Sequence, residues 1–171
     1  MKSVPRFALL GKSGAGKSEI AKALKEHLGC RIVKTGAICR TISQVLFGNE
    51  DKHSTQILDD ALTVLDPSIF LKAAARDITF NEAIVIDALR FMSDVAIADH
   101  LGCKLVRVVA NADERVRRLQ LRQQTFELAR DGVHRSETEL DACPVDHVIM
   151  NGGTMSDLQS QVADVVASYR T

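Results

Sequence analysis

Residues 7–18 read FALLGKSGAGKS, an apolar run that passes into a glycine-rich turn and ends in a lysine–serine pair. The apolar run, Phe7 to Leu10, is typical of a buried strand. The turn, Gly11 to Ser18, fits the pattern G-x-x-x-x-G-K-[ST] at every fixed position. Apolar residues at helical spacing predict a helix from Gly16 to Leu28. A strand, a glycine-rich turn and a helix in this order predict a phosphate-binding loop (P-loop).

The composition of this turn suits a triphosphate. Glycines let the backbone wrap closely around an anion with its N–H groups pointing inward, and the N-terminus of the following helix adds a positive dipole end. We expect Lys17 on the β- and γ-phosphates of ATP and Ser18 on Mg²⁺. The residues predicted to contact the nucleotide here are Gly11, Ser13, Gly14, Ala15, Gly16, Lys17 and Ser18.

Short apolar runs alternate with helical patterns along the rest of the chain. The runs Ala83–Asp87, Leu105–Val109 and Asp146–Met150 lack the polar alternation of half-exposed strands. Strands buried on both faces, with helices between them, predict right-handed crossovers and an α/β fold with a parallel sheet covered on both faces. The ligands of such sheets bind beyond the carboxyl ends of the strands.

An aspartate and an arginine follow the most apolar of these runs. Asp87 is expected to lie beside the P-loop, where its carboxylate can hold Mg²⁺ or accept a proton. The next residue is Ala88, where motor-type ATPases usually need a glutamate, so a mechanical ATPase is disfavoured. Arg90 is expected to bind a phosphate of the acceptor. The alternative is a solvated strand-end aspartate and a surface arginine.

Three arginines recur at helical spacing in a helix predicted over Ala112–Phe126. Arg115, Arg118 and Arg122 are expected to share one face, and Arg118 and Arg122 to neutralise charge on a transferring phosphate. The alternative is a solvated, arginine-rich face with neighbouring acidic partners. The polar segment that follows, Gln123–Arg135, is expected to form a short lid that excludes water.

Two further groups of residues are weaker candidates, one at the acceptor end of the predicted site and one at the adenine end. Arg40 begins a helix on the side where an acceptor would lie, and Lys52 is a polar candidate in the same region. Asn151 and Gly152 follow the last predicted strand, where their backbone can line the adenine. An exposed helix arginine and a plain strand-to-helix turn are the alternative interpretations.

The net charge, the cysteine spacing and the short apolar run near the N-terminus argue against several classes of protein. The formal net charge is zero, which argues against a protein whose whole surface binds nucleic acid. The four cysteines lie far apart, with neither zinc-site nor redox spacing, and are typical of buried thiols in a reducing compartment. The run Phe7–Leu10 is too short for a signal-peptide core or a membrane span. We therefore expect a cytoplasmic protein of one domain, residues 1–171, that does not associate with a membrane.

The motifs in chain order resemble those of one family. They are GKSGAGKS, TGAICR, IVIDALRF, RVRRLQLR, SETEL and DHVIMNGGT, and they run through most of the chain. With them the chain resembles the nucleoside monophosphate kinase group of P-loop kinases, and it is similar to phage-type deoxynucleoside monophosphate kinases and to dephospho-CoA kinase.

The resemblance implies a three-layer α/β/α fold with a five-stranded parallel sheet. It also implies a helical acceptor-binding insertion over about residues 35–80 and a lid over about residues 119–137. It assigns Lys17 and Ser18 to ATP and Mg²⁺, Arg118 and Arg122 to the transferring phosphate, Asn151 and Gly152 to the adenine edge, and Arg40 and Arg90 to the acceptor. Ala37 departs from the family pattern, in which many members have an aspartate at this position.

The expected reaction is transfer of the γ-phosphate of ATP to a small phosphorylated acceptor. A nucleoside monophosphate is the first candidate, and a deoxynucleotide the first among these. An alcohol acceptor is the alternative, with Asp87 as general base: dephospho-CoA, or a hydroxymethyl-pyrimidine nucleotide, free or in DNA. The third interpretation is a nucleotide-binding switch or an ATPase without an acceptor. The segment Asn151–Thr154 argues against a GTPase, because it lacks the lysine and aspartate of a guanine-binding motif. A homodimer is compatible with the sequence.

Overall fold

The computed structural model describes residues 4–170, which contain a five-stranded, fully parallel sheet. Residues 1–3 and 171, which the predicted domain includes, lie outside the described residues. The strand order is β2-β3-β1-β4-β5. The strands are β1 Arg6–Leu10, β2 Arg31–Val33, β3 Ile84–Ile86, β4 Lys104–Val109 and β5 His147–Met150. The predicted parallel sheet is thereby confirmed, with the P-loop strand β1 at its centre.

Helices cover both faces of this sheet and give the predicted three layers. They are α1 Lys17–Leu28, α2 Thr35–Phe47, α3 Lys52–Thr63, α4 Ile69–Ala74, α5 Met92–His100, α6 Ala112–Leu121, α7 Leu128–Asp131, α8 Arg135–Thr138 and α9 Met155–Arg170. Among the helices of residues 4–170, none has the length and the apolar character that a membrane span requires.

The side chains of β1 alternate between two apolar cores. Phe7 and Leu9 pack with α1 and α9 on one face of the sheet. Ala8 and Leu10 pack on the other face with residues of α4 and α5 and with Leu140. Because β1 is buried on both faces, it reads as a continuous apolar run, as central parallel strands do.

A third, smaller core lies within the region predicted to carry the acceptor. Cys39, Leu58 and Phe70 come from α2, α3 and α4 and pack against one another. These three helices follow β2 and precede β3 in the chain. The region therefore has apolar packing of its own, which supports the position of its polar side chains. All four cysteines of the chain are free and buried.

Two predicted helices are shorter in the structure. The helix expected to run to Phe126 ends at Leu121, because the chain turns at Gln123, which has a φ of 55°. The helix expected to run from Pro67 to about Phe80 covers only Ile69–Ala74. The backbone after it turns instead, and several of its carbonyl groups accept hydrogen bonds from a distant arginine.

That arginine is Arg6, the first residue of β1. Its buried guanidinium donates to the carbonyl oxygens of Thr79 (2.8 Å), Phe80 (2.7 Å), Glu82 (3.1 Å) and Leu101 (3.0 Å). One buried side chain thus donates to four carbonyl groups in a partly buried setting. Arg6 therefore holds the entry to β3 and the end of α5 against the central strand.

We expect Arg6→Met to lower the free energy of unfolding by about 3 kcal/mol, because four carbonyl oxygens lose a charged donor that is itself buried. Urea or thermal unfolding measures the change. Arg76→Met is the matched control, since Arg76 is exposed, and it should stay within about 0.5 kcal/mol of the parent. Equal stabilities of the Arg6 variant and the control would contradict this role.

Candidate active site

The P-loop, residues Gly11–Ser18, lies between the end of β1 and the start of α1. Gly11 has a φ of 141° and Gly14 a φ of 79°, which favour glycine. A Cβ on Gly11 would lie 2.3 Å from the Val108 carbonyl oxygen, and one on Gly14 would lie 2.5 Å from the Arg115 carbonyl oxygen. Both glycines are required because the loop approaches two other backbone segments.

Lys17 lies in the first turn of α1 and points back into the loop. Its ammonium donates to the carbonyl oxygens of Gly11 and Lys12, the latter at 3.1 Å. The residue keeps some accessible surface, but enclosure of the ammonium lowers the pKa of Lys17 to about 8, against the opposing effect of Glu137. A cation that has lost water in this way gains strongly from an anion placed beside it.

A polar pocket of about 160 Å³ joins the P-loop to the helical region α2–α4. Five cationic side chains line it, and they come from the P-loop, α2, α3, the segment after β3 and the end of α6. These are Lys17, Arg40, Lys52, Arg90 and Arg122. The acidic side chains in the lining are Glu50, Asp87 and Glu137. The excess of positive charge favours anionic ligands.

Asp87 follows β3 at the floor of this pocket and is not a solvated strand-end residue. Its Oδ1 accepts hydrogen bonds from the Thr35 backbone N–H (3.0 Å) and hydroxyl (3.2 Å). Burial raises the pKa of Asp87, while the Thr35 donors and Lys17 act in the opposite direction. The carboxylate is thus held in one orientation.

Ser18 lines the same pocket as Asp87, so the structure brings together the two residues predicted to hold Mg²⁺. Across residues 4–170, no group of three or more His, Cys, Asp or Glu side chains is arranged to hold a metal ion. A hydroxyl and one carboxylate fit an ion that takes its other ligands from water and nucleotide phosphates, as Mg²⁺ usually does.

Arg40 and Arg90 converge on the backbone of α2. A Cβ on Gly36 would lie 3.0 Å from Arg40 Nη1 and 3.4 Å from Arg90 Nη2. Arg90 Nη1 also donates to Asp59 Oδ2 at 3.0 Å, and Asp59 is only 1% exposed. Burial opposes the charge on Arg90, but Asp59, Cys39, Glu137 and Asp87 together outweigh it and raise the pKa of Arg90. The pair Asp59–Arg90 fixes one of the two guanidinium groups.

Glu137 lines the pocket from the segment predicted as a lid, although its sequence context did not predict a site residue. Its carboxylate accepts from the Ser13 backbone N–H (2.7 Å) and hydroxyl (2.6 Å) and lies 2.9 Å from Lys52 Nζ. Burial alone would raise its pKa, but Lys52, Lys17 and the Ser13 donors outweigh burial and hold the pKa of Glu137 at about 2. A glutamate in a polar segment carries no sequence signal for such a contact.

The three arginines of the α6 region do not act as one face. Arg122 lines the pocket, whereas Arg118 does not. Arg118 Nη2 donates to the Asn151 carbonyl oxygen at 3.0 Å, and Nη1 lies 3.4 Å from the Gly14 and Ala15 carbonyl oxygens. Arg115 is buried beside a different cleft. The expectation of a shared face is therefore wrong, because the helix ends before Arg122 and Arg115 turns inward.

Asn151 follows β5 and binds the outer side of the P-loop. Its side-chain amide donates to the Ala15 carbonyl oxygen at 2.8 Å, and Gly152 beside it is exposed. Together with Arg118, it forms a clasp across the loop, which we call the outer clasp. Neither Arg118 nor Asn151 lines the cationic pocket, although Arg118 lies next to Gly14, which does.

Comparison with known proteins supports a kinase relationship. No protein-family model matches the chain. A cytidylate kinase from Aster yellows witches'-broom phytoplasma (strain AYWB) is 30% identical over 109 residues, which are 60% of this chain and 48% of that protein. The chain spans about half the length of the curated relatives it matches.

Solved structures share the fold over nearly the whole chain. A gluconokinase from Sinorhizobium meliloti 1021 has a TM-score of 0.65 and 14% identity, with 97% of this chain and 94% of that chain covered. Shikimate kinase from Acinetobacter baumannii, in complex with shikimate, has a TM-score of 0.56 and 15% identity, with 98% and 95% covered. The strand order and these similarities show that the chain has the α/β fold of the two kinase structures, and 60% of it is similar in sequence to cytidylate kinases.

Proposed function

We propose that the protein transfers the γ-phosphate of ATP to a nucleoside monophosphate, with a deoxynucleotide as the first candidate. One observation carries the proposal. A single pocket runs from Lys17 and Ser18 of the P-loop to Arg40 and Arg90. A donor phosphate bound at one end and an acceptor phosphate bound at the other would therefore meet in line.

In this proposal the donor lies in the P-loop. Lys17 would leave the loop carbonyls for the β- and γ-phosphates, and Ser18 and Asp87 would hold Mg²⁺, whose charge would offset that of the phosphates. Arg122 approaches the transferring phosphate from the lid side. Transfer through a loose transition state needs this neutralisation more than it needs a base, since an acceptor phosphate is already ionised.

The outer clasp is proposed to lie at the adenine end of the nucleotide. Arg118 and Asn151 contact the backbone of the loop, and neither they nor Gly152 line the pocket. This geometry supports a role for Arg118 beside the base and sugar, and it leaves Arg122 as the arginine for the transferring phosphate.

The acceptor phosphate is proposed to bind between Arg40 and Arg90, beside Lys52. Arg90 is braced by Asp59, so one guanidinium is already oriented, as tight phosphate recognition requires. We further propose that residues 35–80 and 119–137 are the acceptor region and the lid of one domain.

Asp87 favours a second candidate function. Its Oδ1 is held by Thr35, and burial raises its pKa, so the carboxylate suits proton abstraction from a hydroxyl. An alcohol acceptor, such as dephospho-CoA or a hydroxymethyl-pyrimidine nucleotide, free or in DNA, would use Asp87 as general base. The fold shared with kinases named for shikimate and gluconate is compatible with this candidate.

A coupled ADP-release assay tests both candidates. The arms are ribo- and deoxynucleoside monophosphates, dephospho-CoA, the hydroxymethyl-pyrimidine nucleotide and DNA containing it, and no acceptor. We expect ADP release with a deoxynucleoside monophosphate and a fall of about 100-fold or more for Lys17→Met. Lys22→Met, an exposed change in the same helix, is the control and should keep full activity.

Steady ADP release without an acceptor would instead identify an ATPase or switch. Release only with the alcohol acceptors would replace the first candidate by the second. Full activity of a folded Lys17→Met protein would contradict the site itself.

We expect Arg40→Met to raise the KM for the acceptor about tenfold and to leave the KM for ATP unchanged, because Arg40 lies at the acceptor end only. Arg40 is half-exposed and its ion pair with Glu50 is long, at 3.9 Å, so the variant should fold normally. Lys72→Met, a surface change in the same region, is the control. An equal rise in the KM for ATP and in the KM for the acceptor would contradict the proposal that Arg40 lies at the acceptor end only.

We expect Glu137→Gln to bind a non-hydrolysable Mg·ATP analogue about threefold to tenfold more tightly, because a charged competitor for Ser13 and Lys52 is lost. Isothermal titration calorimetry measures the affinity. Glu139→Gln, two residues along and outside the pocket lining, should bind like the parent. Weaker binding by the Glu137 variant would mean that this carboxylate supports the nucleotide rather than competing with it.

A further inference from the structure

A second cleft, of about 230 Å³, lies behind the P-loop and outside the cationic pocket. The backbone of Gly11 forms one wall, and the end of β4 forms another. The charged side chains that line it are Lys12, Arg107, Arg115 and Asp141. Lys17 and Ser18, the residues proposed to face the triphosphate, do not line it.

Arg115 is the unusual member of this set. It lies on the inward face of α6 and is only 5% exposed. Its Nε has no hydrogen-bond partner, and no ion pair within residues 4–170 involves its guanidinium. A buried charge is costly unless it is paired with an opposite charge and hydrogen-bonded. Arg115 is therefore a buried cation for which the described part of the chain supplies no ion-pair partner.

The other charges of the cleft do not neutralise it. Arg107 Nη2 donates to the carbonyl oxygens of Leu140 (3.0 Å) and Cys143 (2.6 Å), which carry no net charge. The carboxylate of Asp141 is paired with Lys12 at 2.9 Å. Three cations thus share one carboxylate in the lining. The two paired side chains, Lys12 and Asp141, are 39% and 50% exposed and leave a path from solvent.

We propose that this cleft binds a phosphate group, with the Arg115 guanidinium as its main ligand and Lys12 and Arg107 beside it. A planar guanidinium fork matches two phosphate oxygens, and the excess of positive charge favours a dianion over a carboxylate. The cleft has room for a tetrahedral oxyanion together with some water. The cleft shares Gly11 with the lining of the nucleotide pocket, but its charged side chains are different ones, and the proposal does not depend on the proposed phosphotransfer.

Binding of inorganic phosphate tests the proposal. Isothermal titration calorimetry is run on the full chain with the P-loop saturated by a non-hydrolysable Mg·ATP analogue, and again in the Lys17→Met background. Both conditions remove phosphate binding at the P-loop. We expect phosphate to bind in both, at least about tenfold more weakly in Arg115→Met, and unchanged in Arg117→Met, an exposed control on the same helix.

Thermal unfolding adds a second readout. In phosphate-free buffer we expect Arg115→Met to unfold at a higher temperature than the parent, because a buried unpaired charge is gone. Phosphate should raise the unfolding temperature of the parent and not that of the variant. If Arg115→Met does not fold, Lys12→Gln serves instead, and its phosphate affinity should fall several-fold.

Glycerol phosphate distinguishes the source of the group. Binding of both ligands would support a phosphate carried on a small molecule, and binding of inorganic phosphate alone would support the free ion. Absence of phosphate binding in both backgrounds, or equal binding by the parent and Arg115→Met, would overturn the proposal.

Discussion

The close approach of the P-loop to two neighbouring backbone segments fixes the geometry of this protein. The carbonyl of Val108 faces Gly11 and the carbonyl of Arg115 faces Gly14 at distances that leave no space for a Cβ. The end of β4 and the start of α6 thereby set the curvature of the loop. Lys17, the Ser13 amide and the outer clasp all take their positions from that curvature.

The second constraint on the structure is that the cationic side chains collected in the pocket need negative partners. The cationic pocket gathers Lys17, Lys52 and Arg90 away from bulk water, and burial lowers the pKa of both lysines. Asp59 and Glu137 compensate by pairing with Arg90 and Lys52. Each acid also orients the cation it holds. An anionic ligand that enters the pocket would exchange these internal partners for its own oxygens, so the net cost of collecting like charges is small.

Local sequence was sufficient for the features that depend on local chemistry. The glycine spacing of residues 11–18 predicts the loop, and the apolar run before Asp87 predicts a strand that ends beside it. Asp87 and Arg90 reach the pocket because they follow a strand that ends at the same edge of the sheet as the P-loop strand. Arg40 and Lys52 reach it from α2 and α3.

Contacts between residues that are far apart in the sequence could not be predicted from local sequence. The bond from Ser13 to Glu137 joins residues that are 124 positions apart, and nothing in the polar segment around Glu137 distinguishes it from a solvated glutamate. The early end of α6 divides Arg118 from Arg122, although their spacing is helical. The turns after α4 exist because Arg6, 73 positions from Thr79, takes their carbonyls. The periodicity of apolar residues predicts which face of a helix is buried, but not which residues pack against that face.

The contact of Glu137 with Ser13 has a consequence for how the P-loop would be filled. A phosphate that bound the Ser13 amide under the proposed function would have to displace the Glu137 carboxylate from it. The carboxylate would still have Lys52 as a partner, because Lys52 Nζ lies 2.9 Å from Oε1. Binding in the P-loop would therefore require the segment that carries Glu137 to shift, and the rate of that shift would set the rate of nucleotide entry.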